Sequence, residues 1–149
     1  MPDRFLGIDP GRSKTGWALT DEAGALLASG IVAAVDVALL LDALVFAEGR
    51  VPVVPLEGRW PPSLEDGPPE IVVGSGTGSA AVVRCLEARS MPFVVVDEAF
   101  STLRGRELYW RLHRPRGWRR WLPGGLRLPP RDVDDLAAWA LVLSRLGRD

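Results

Sequence analysis

The sequence predicts an α/β fold: a five-stranded mixed sheet, three antiparallel strands and then two parallel ones, flanked by helices. Three observations lead there. Turn signals at Pro10-Gly11 and Asp21-Glu22-Ala23-Gly24 cut the opening of the chain into three short apolar runs. Two later apolar runs, Ile71-Val72-Val73 and Phe93-Val94-Val95-Val96, alternate with stretches of helical periodicity. The length of 149 residues, 47% of them hydrophobic, is enough for one core and short for two ordinary domains, so residues 1–149 are expected to form a single domain.

Arg4 to Asp9 reads as a strand that ends in an acid, and Pro10-Gly11 prevents it from continuing. Thr15 to Leu19 resumes as a second strand and Ala25 to Ala33 as a third, giving an antiparallel meander. Asp36 is a good N-cap for a helix from Val37 to Glu48, in which Leu40, Leu41, Leu44 and Val45 recur at helical spacing and Gly49 marks the end. Residues 51–69 hold prolines and glycines without a sustained period and read as a long loop, with a short extended piece at Val51 to Val54. Ile71 to Val73 is a strand buried on both faces, Gly74 to Ser79 a tight turn, and Ala80 to Arg89 a helix packing Ala81, Val82, Cys85 and Leu86. Phe93 to Val96 is a second buried strand, after which Ser101 or Thr102 caps a helix reaching about to His113. Arg114 to Pro130 is rich in Pro, Gly, Arg and Trp and is expected to be a mobile loop. Asp132 then caps a last helix with the apolar stripe Val133, Leu136, Ala137, Ala140 and Leu141. That order of elements is the arrangement of the ribonuclease H fold.

Composition excludes several chemistries. One cysteine, Cys85, rules out an internal disulfide, and with one histidine, His113, it rules out a zinc cluster of thiolates and imidazoles, so any metal must be held by oxygen. No apolar run approaches a membrane span, and the start of the chain lacks a secretory pattern, so a cytoplasmic protein is expected. The net charge of −1 hides a segregation: residues 1–100 carry 7 basic and 14 acidic groups, whereas residues 101–131 carry 9 and 1. A polyanionic partner bound at one place fits that asymmetry.

Parallel strands joined by crossover helices present functional groups at their carboxyl ends, and both Asp9 and Glu98 stand where a strand is expected to stop. With the two strands two positions apart, their backbones are about 10 Å apart. Asp134 falls in the first turn of the last helix, where Ala137 and Ala138 are small enough for close approach to the sheet. Taken singly, each acid also reads as a turn residue, a strand terminus or a helix-dipole partner. Together, three uncompensated carboxylates would repel one another, so their convergence implies a hard divalent cation, Mg²⁺ or Mn²⁺. Two such ions about 4 Å apart are suited to phosphodiester hydrolysis.

Phe5-Leu6-Gly7-Ile8-Asp9-Pro10-Gly11 with Thr15-Gly16-Trp17-Ala18 resembles the opening hairpin of the RuvC-type Holliday junction resolvases and their YqgF/RuvX relatives. Val95-Val96-Asp97-Glu98-Ala99-Phe100-Ser101-Thr102 is similar to the Asp-Glu-Arg-x-Ser/Thr-Thr segment of the YqgF family, and Val133-Asp134-Asp135-Leu136-Ala137-Ala138 to its closing helix. The resemblance implies a divalent-metal-dependent nuclease with a ribonuclease H-like fold, acting on precursor 16S ribosomal RNA or on branched DNA. It makes Asp9, Glu98 and Asp134 the catalytic, metal-binding acids, with Asp135 as a further metal neighbour and Asp132 beside it. The RuvC-like resolvases cut two strands as dimers, which makes a homodimer a candidate assembly that no motif here decides. Three departures stand out: Gly74-Ser75 where the RuvC pattern has a glutamate, Ala99 in place of the YqgF arginine, and Gly-Ser-Gly-Thr-Gly-Ser in place of Gly-Leu-Pro. They motivate the alternative of a catalytically weak nucleic-acid-binding module that retains the fold.

Arg104, Arg106, Arg111, Arg114, Arg116, Arg119, Arg120, Arg127 and Arg131, interleaved with Tyr109, Trp110, Trp118 and Trp121, combine phosphate-binding charge with rings on which bases stack, and Lys14 in the first hairpin is placed to touch phosphate. The competing reading makes the arginines a solvated helix face and the tryptophans packing for the loop. The glycines of residues 74–79 lack the lysine of a Walker loop, so a strand-to-helix turn is expected there.

Overall fold

The computed structural model describes residues 4–46, 54–60, 68–97, 99, 101–123 and 126–148. Three strands open the chain, β1 (Arg4–Asp9), β2 (Lys14–Asp21) and β3 (Leu26–Ala33), followed by a 3-10 turn at Ala34–Asp36 and helix α1 (Val37–Phe46). A two-residue strand β4 (Glu57–Gly58), β5 (Glu70–Gly74), α2 (Ser79–Ala88), β6 (Phe93–Val96) and α3 (Ser101–Leu112) come next. A 3-10 turn at Gly117–Trp121 and helix α4 (Asp134–Arg145) complete the order. The strands form one sheet in the order β4-β3-β2-β1-β5-β6, with β1 antiparallel to β2, β2 antiparallel to β3, and β1, β5 and β6 parallel. This is the ribonuclease H-like α/β arrangement that the sequence predicts, with a sixth strand added at one edge.

Alternation along the strands builds the layers. Leu6 and Ile8 of β1, Trp17 and Leu19 of β2, and Ile71 and Val73 of β5 point to one face, where they meet Val37, Leu40 and Leu41 of α1 and Val82 and Leu86 of α2. Each of these fully buried aliphatic side chains contributes roughly 1.5–3 kcal/mol. Phe5 and Val72 point to the other face, against Leu141 and Val142 of α4. Helix α3 lies on α4 through Leu108 and Tyr109 against Leu136 and Ala140.

Helix α4 sits unusually close to the sheet because the strands beneath it carry no side chain. A Cβ on Gly7 would collide with the Ala138 carbonyl and come to 2.8 Å from Val142 Cγ2; one on Gly16 would collide with the Asp134 carbonyl and come to 2.7 Å from the Asp135 amide nitrogen. On the outer side, a Cβ on Gly105 of α3 would come to 2.8 Å from the Ala137 amide nitrogen. Glycine costs a strand or helix about 0.5–1 kcal/mol, and the return here is a helix seated directly on β1 and β2.

Several expectations need correction. The sheet has six strands rather than five, because Glu57–Gly58 adds to β3 through the register Ala28↔Gly58 and Ser29↔Glu57. A pair of residues has no periodicity to read. Phe93–Val96 is an edge strand with Val95 exposed, not a strand buried on both faces. Val133, not Asp132, occupies the N-cap of α4, and it makes no side-chain cap bond; Asp132 is drawn instead to Lys14. Asp36 belongs to the 3-10 turn leading into α1. The expected stop at Gly49 and most of the extended piece at residues 51–54 lie outside the described residues. Among the described residues, no helix is long and apolar enough to cross a membrane.

Candidate nucleic-acid and metal site

Asp9 is the last residue of β1 and pairs across the ladder with Gly16 of β2. Gly7 faces α4, so the two-residue repeat of a strand turns Asp9 to the same side. Asp134 opens α4 directly above Gly16. Gly16 is therefore the neighbour of both acids: one flanks it in the sheet and the other lies over it. This edge is the carboxyl end of the parallel strands, where β6 stands two positions from β1 with β5 between them. Glu98, which follows two residues after β6, lies outside the described residues. Gly74 at the end of β5, where the RuvC pattern has its glutamate, brings no acid to this edge.

Lys14, expected among the phosphate-binding residues, reaches into the acids instead. Its Nζ lies 2.5 Å from Asp132 Oδ2 and 3.1 Å from Asp134 Oδ2. The hydrogen bonds to Asp132 and then to Asp134 hold the Lys14 ammonium above its ordinary range, and the same lysine holds the Asp132 carboxyl low. The chain thus supplies a cation of its own at the mouth of the site. A groove of about 300 Å³ runs from here between α3 and the start of α4, lined by Lys14, Thr102, Arg106, Arg131, Asp132 and Asp134 among others. Arg106, expected among the phosphate-binding arginines, and Thr102, the last residue of the segment similar to the YqgF pattern, stand one helical turn apart on α3 and line that groove.

Asp135, expected as a metal neighbour, is turned the other way. It is fully buried and accepts hydrogen bonds from Ser29 Oγ at 2.6 Å, from Arg131 Nη1 at 2.8 Å and from Arg131 Nη2 at 3.2 Å. Both oxygens are taken up in tying α4 to β3, which suits an anchor and not a metal ligand. Arg131 also donates to Glu57 Oε1 at 2.8 Å, and His113 Nε2 lies 2.6 Å from the same oxygen. Burial acts to raise the Glu57 carboxyl, but the hydrogen bonds from Arg131 and His113 outweigh it and hold the group below its ordinary 4.5. This network links β4, through Glu57, to Arg131 ahead of α4 and to His113 after α3. The signal for it was the spacing of Arg131 and Asp135, four residues apart at a helix start.

The donor chemistry remaining for a divalent ion is all oxygen, as Mg²⁺ or Mn²⁺ requires. Among the described residues, no three His, Cys, Asp or Glu side chains are grouped so as to hold a metal. Asp9 at the end of β1 and Asp134 at the start of α4 are the oxygen donors that the described residues bring to this edge.

The basic segment is organised rather than loose. Arg127 donates from Nε to the Arg119 carbonyl at 2.9 Å and from Nη2 to the Arg120 carbonyl at 2.8 Å, and Trp110 Nε1 donates to the Arg127 carbonyl at 3.0 Å. Trp118 and Trp121 are 69% and 78% exposed, so they do not pack the segment onto the core. Arg111, Arg114, Arg116, Arg119 and Arg120 are exposed as well, whereas Arg104 donates to the Arg148 carbonyl at 3.2 Å. Residues Leu128 and Pro129, at the end of this segment, line the same groove as Asp134.

No protein-family model matches the chain, and no curated protein matches its sequence. Among solved structures, it is similar to T. thermophilus RuvC in complex with a Holliday junction substrate, at 16% identity over 97% of this chain and 96% of that chain, with a TM-score of 0.49. A second Thermus thermophilus RuvC structure matches at 16% identity over 97% and 96%, with a TM-score of 0.44. The ethanolamine utilization protein EutJ from Carboxydothermus hydrogenoformans matches at 15% identity over 70% of this chain and 40% of that chain, with a TM-score of 0.41.

Proposed function

We propose that the chain is a divalent-metal-dependent nuclease of the YqgF/RuvX type, hydrolysing phosphodiester bonds in structured nucleic acid, with residues 1–149 as one nuclease domain. The observation that carries this reading is the placement of Asp9 and Asp134 on either side of Gly16 at the carboxyl end of the parallel strands. Asp9, Glu98 and Asp134 are the acids assigned to hold Mg²⁺ or Mn²⁺, which when bound would activate water and stabilise the leaving oxygen. Asp9 and Asp134 bring hard oxygen donors to a rigid strand end and a rigid helix start. Arg106, on the wall of the groove, is placed to hold a phosphate beside them. The exposed arginines of residues 111–120 supply the sequence-independent part of the affinity. Precursor ribosomal RNA and branched DNA both present such a substrate.

The test is cleavage of branched DNA and of precursor-like ribosomal RNA with Mn²⁺, comparing the natural sequence with Asp9→Asn and Glu98→Gln. Metal-dependent cleavage that both substitutions abolish is expected; equal activity in all three proteins would remove the mechanism. One observation favours the second reading, a binding module with little turnover: the Lys14 ammonium already neutralises Asp134 and Asp132. Tight, salt-sensitive binding without metal-dependent cleavage would decide for it.

A further inference from the structure

We infer that the 3-10 turn Gly117–Trp121 is a stacking platform for unpaired nucleotides, so that the surface selects single-stranded segments over fully paired ones. This rests on the nucleic-acid reading above and adds to it the strand state that is recognised.

In a 3-10 helix, residues i and i+3 eclipse one another, so Trp118 and Trp121 project from one side of the turn. With a rise of about 2.0 Å per residue, the rings are set about 6 Å apart along its axis. Paired bases follow one another at about 3.4 Å and keep their faces covered, so a duplex offers these indoles nothing to stack on. Neighbouring bases drawn apart in a single strand do. Each ring carries its own cation: the Arg119 guanidinium lies 5.6 Å from the Trp118 ring centre and that of Arg120 5.1 Å from the Trp121 ring centre. Aromatic face and phosphate-binding charge therefore alternate along the turn at the scale of a nucleotide.

Two further facts argue for a ligand and against incidental exposure. The turn is tied by Arg127 on the carbonyls of Arg119 and Arg120, and Arg127 is in turn tied to Trp110, while both indoles lie in solvent and take no part in holding the turn. Between Glu107 and Asp132 the sequence carries seven arginines and no acidic residue, which makes a polyanion the complementary partner. Arginine alone would serve a duplex backbone; the tryptophans add affinity only where bases are unpaired.

The experiment measures fluorescence anisotropy in EDTA, so that no turnover intervenes, using a labelled oligothymidine of about 20 nucleotides and a duplex of equal length. The natural sequence is compared with Trp118→Ala/Trp121→Ala and Trp118→Phe/Trp121→Phe; both side chains are exposed, and circular dichroism checks the fold. The expected result is a single-strand preference in the natural sequence and a loss of about 100-fold in oligothymidine affinity for the alanine pair, roughly tenfold per ring. Duplex affinity should stay within about twofold, the phenylalanine pair should keep most of the single-strand affinity, and the salt slope should not change because every arginine remains. Equal losses on strand and duplex, or no loss on either, would overturn the platform while leaving the nucleic-acid reading in place. Failure to bind either nucleic acid, with Trp-dependent binding to phosphatidylglycerol vesicles, would overturn both.

Discussion

Replacing Gly16 by alanine tests the link between the packing of α4 and the position of Asp134. The added Cβ would lie 2.7 Å from the Asp135 amide nitrogen and nearer still to the Asp134 carbonyl, both main-chain atoms that no side-chain rotation can move aside. Restoring ordinary contact, which begins at 3.4 Å, would require a rise of 0.7 Å for the Asp135 nitrogen alone, and the nearer Asp134 carbonyl forces the first turn of α4 to rise further still. Overpacking of this kind costs about 1–3 kcal/mol, and with backbone on both sides the upper end is expected. A urea m-value of about 2 kcal/mol/M converts 3 kcal/mol into a midpoint lower by about 1.5 M. Gly117→Ala is the control: its φ of +63° strains an alanine, but nothing lies within 4 Å of the added atom, so only about 1–2 kcal/mol is expected. Urea unfolding followed by circular dichroism gives both values. If Gly16→Ala proves no more costly than Gly117→Ala, α4 does not rest on Gly16 and the argument that brings Asp134 to Asp9 fails with it.

Asp135→Asn removes the charge from a carboxylate that is fully buried against Arg131. Breaking such a pair costs about 3–5 kcal/mol, and because Arg131 retains Glu57 the lower end is expected, read as a fall in thermal and urea midpoints. Glu57 is held below its ordinary 4.5 in the folded chain, so the unfolded chain binds the extra proton, and its contribution is present above pH 4.5 and lost as the pH falls through the folded value. Stability measured from pH 7 down to about pH 3 should therefore drop less steeply in Glu57→Gln than in the natural sequence; an unchanged slope would show that Glu57 is not so held. Lys14→Ala withdraws the ammonium from Asp132 and Asp134, and calorimetry should show Mn²⁺ binding tightened by about tenfold, in keeping with the loss of one nearby positive charge. Weaker Mn²⁺ binding in that variant would mean that the lysine assists the acids and does not compete for them.

The order of strands and helices was legible because each long element carries its period in its own residues: Leu6 and Ile8 alternate, and Leu136, Ala140 and Leu141 recur at helical spacing. What was not legible depends on contacts between distant segments. Strand β4 is two residues, tied to β3 by main-chain bonds from Leu56 to Ser29 and from Arg59 to Leu27 and by the hold of Arg131 and His113 on Glu57. The segment after α3 looks mobile by composition, yet Arg127 pins it through main-chain carbonyls, a kind of bond that leaves no pattern in the side chains. Whether Asp135 joins Asp134 or turns away from it was likewise beyond sequence. Adjacent helical residues point about 100° apart, and only the position of Ser29 shows which one the sheet takes.

Glycine in a strand interior weakens it, and the role of Gly7 and Gly16 emerges only when α4 is laid across them. Any side chain at either position would lift the helix that carries Asp134, so the cost of two glycines in the strands goes to the close seating of that helix on β1 and β2. Asp132 and Asp134 share the positive charge of Lys14, which reaches them from β2, the strand that also contains Gly16. The electrostatic demand of the site and the steric permission for it thus come from the same short stretch, residues 14–16. A substitution at Lys14 or at Gly16 should act on Asp134 by separate routes, one through charge and one through position. The two can be told apart because raising the ionic strength shrinks the first and leaves the second unchanged.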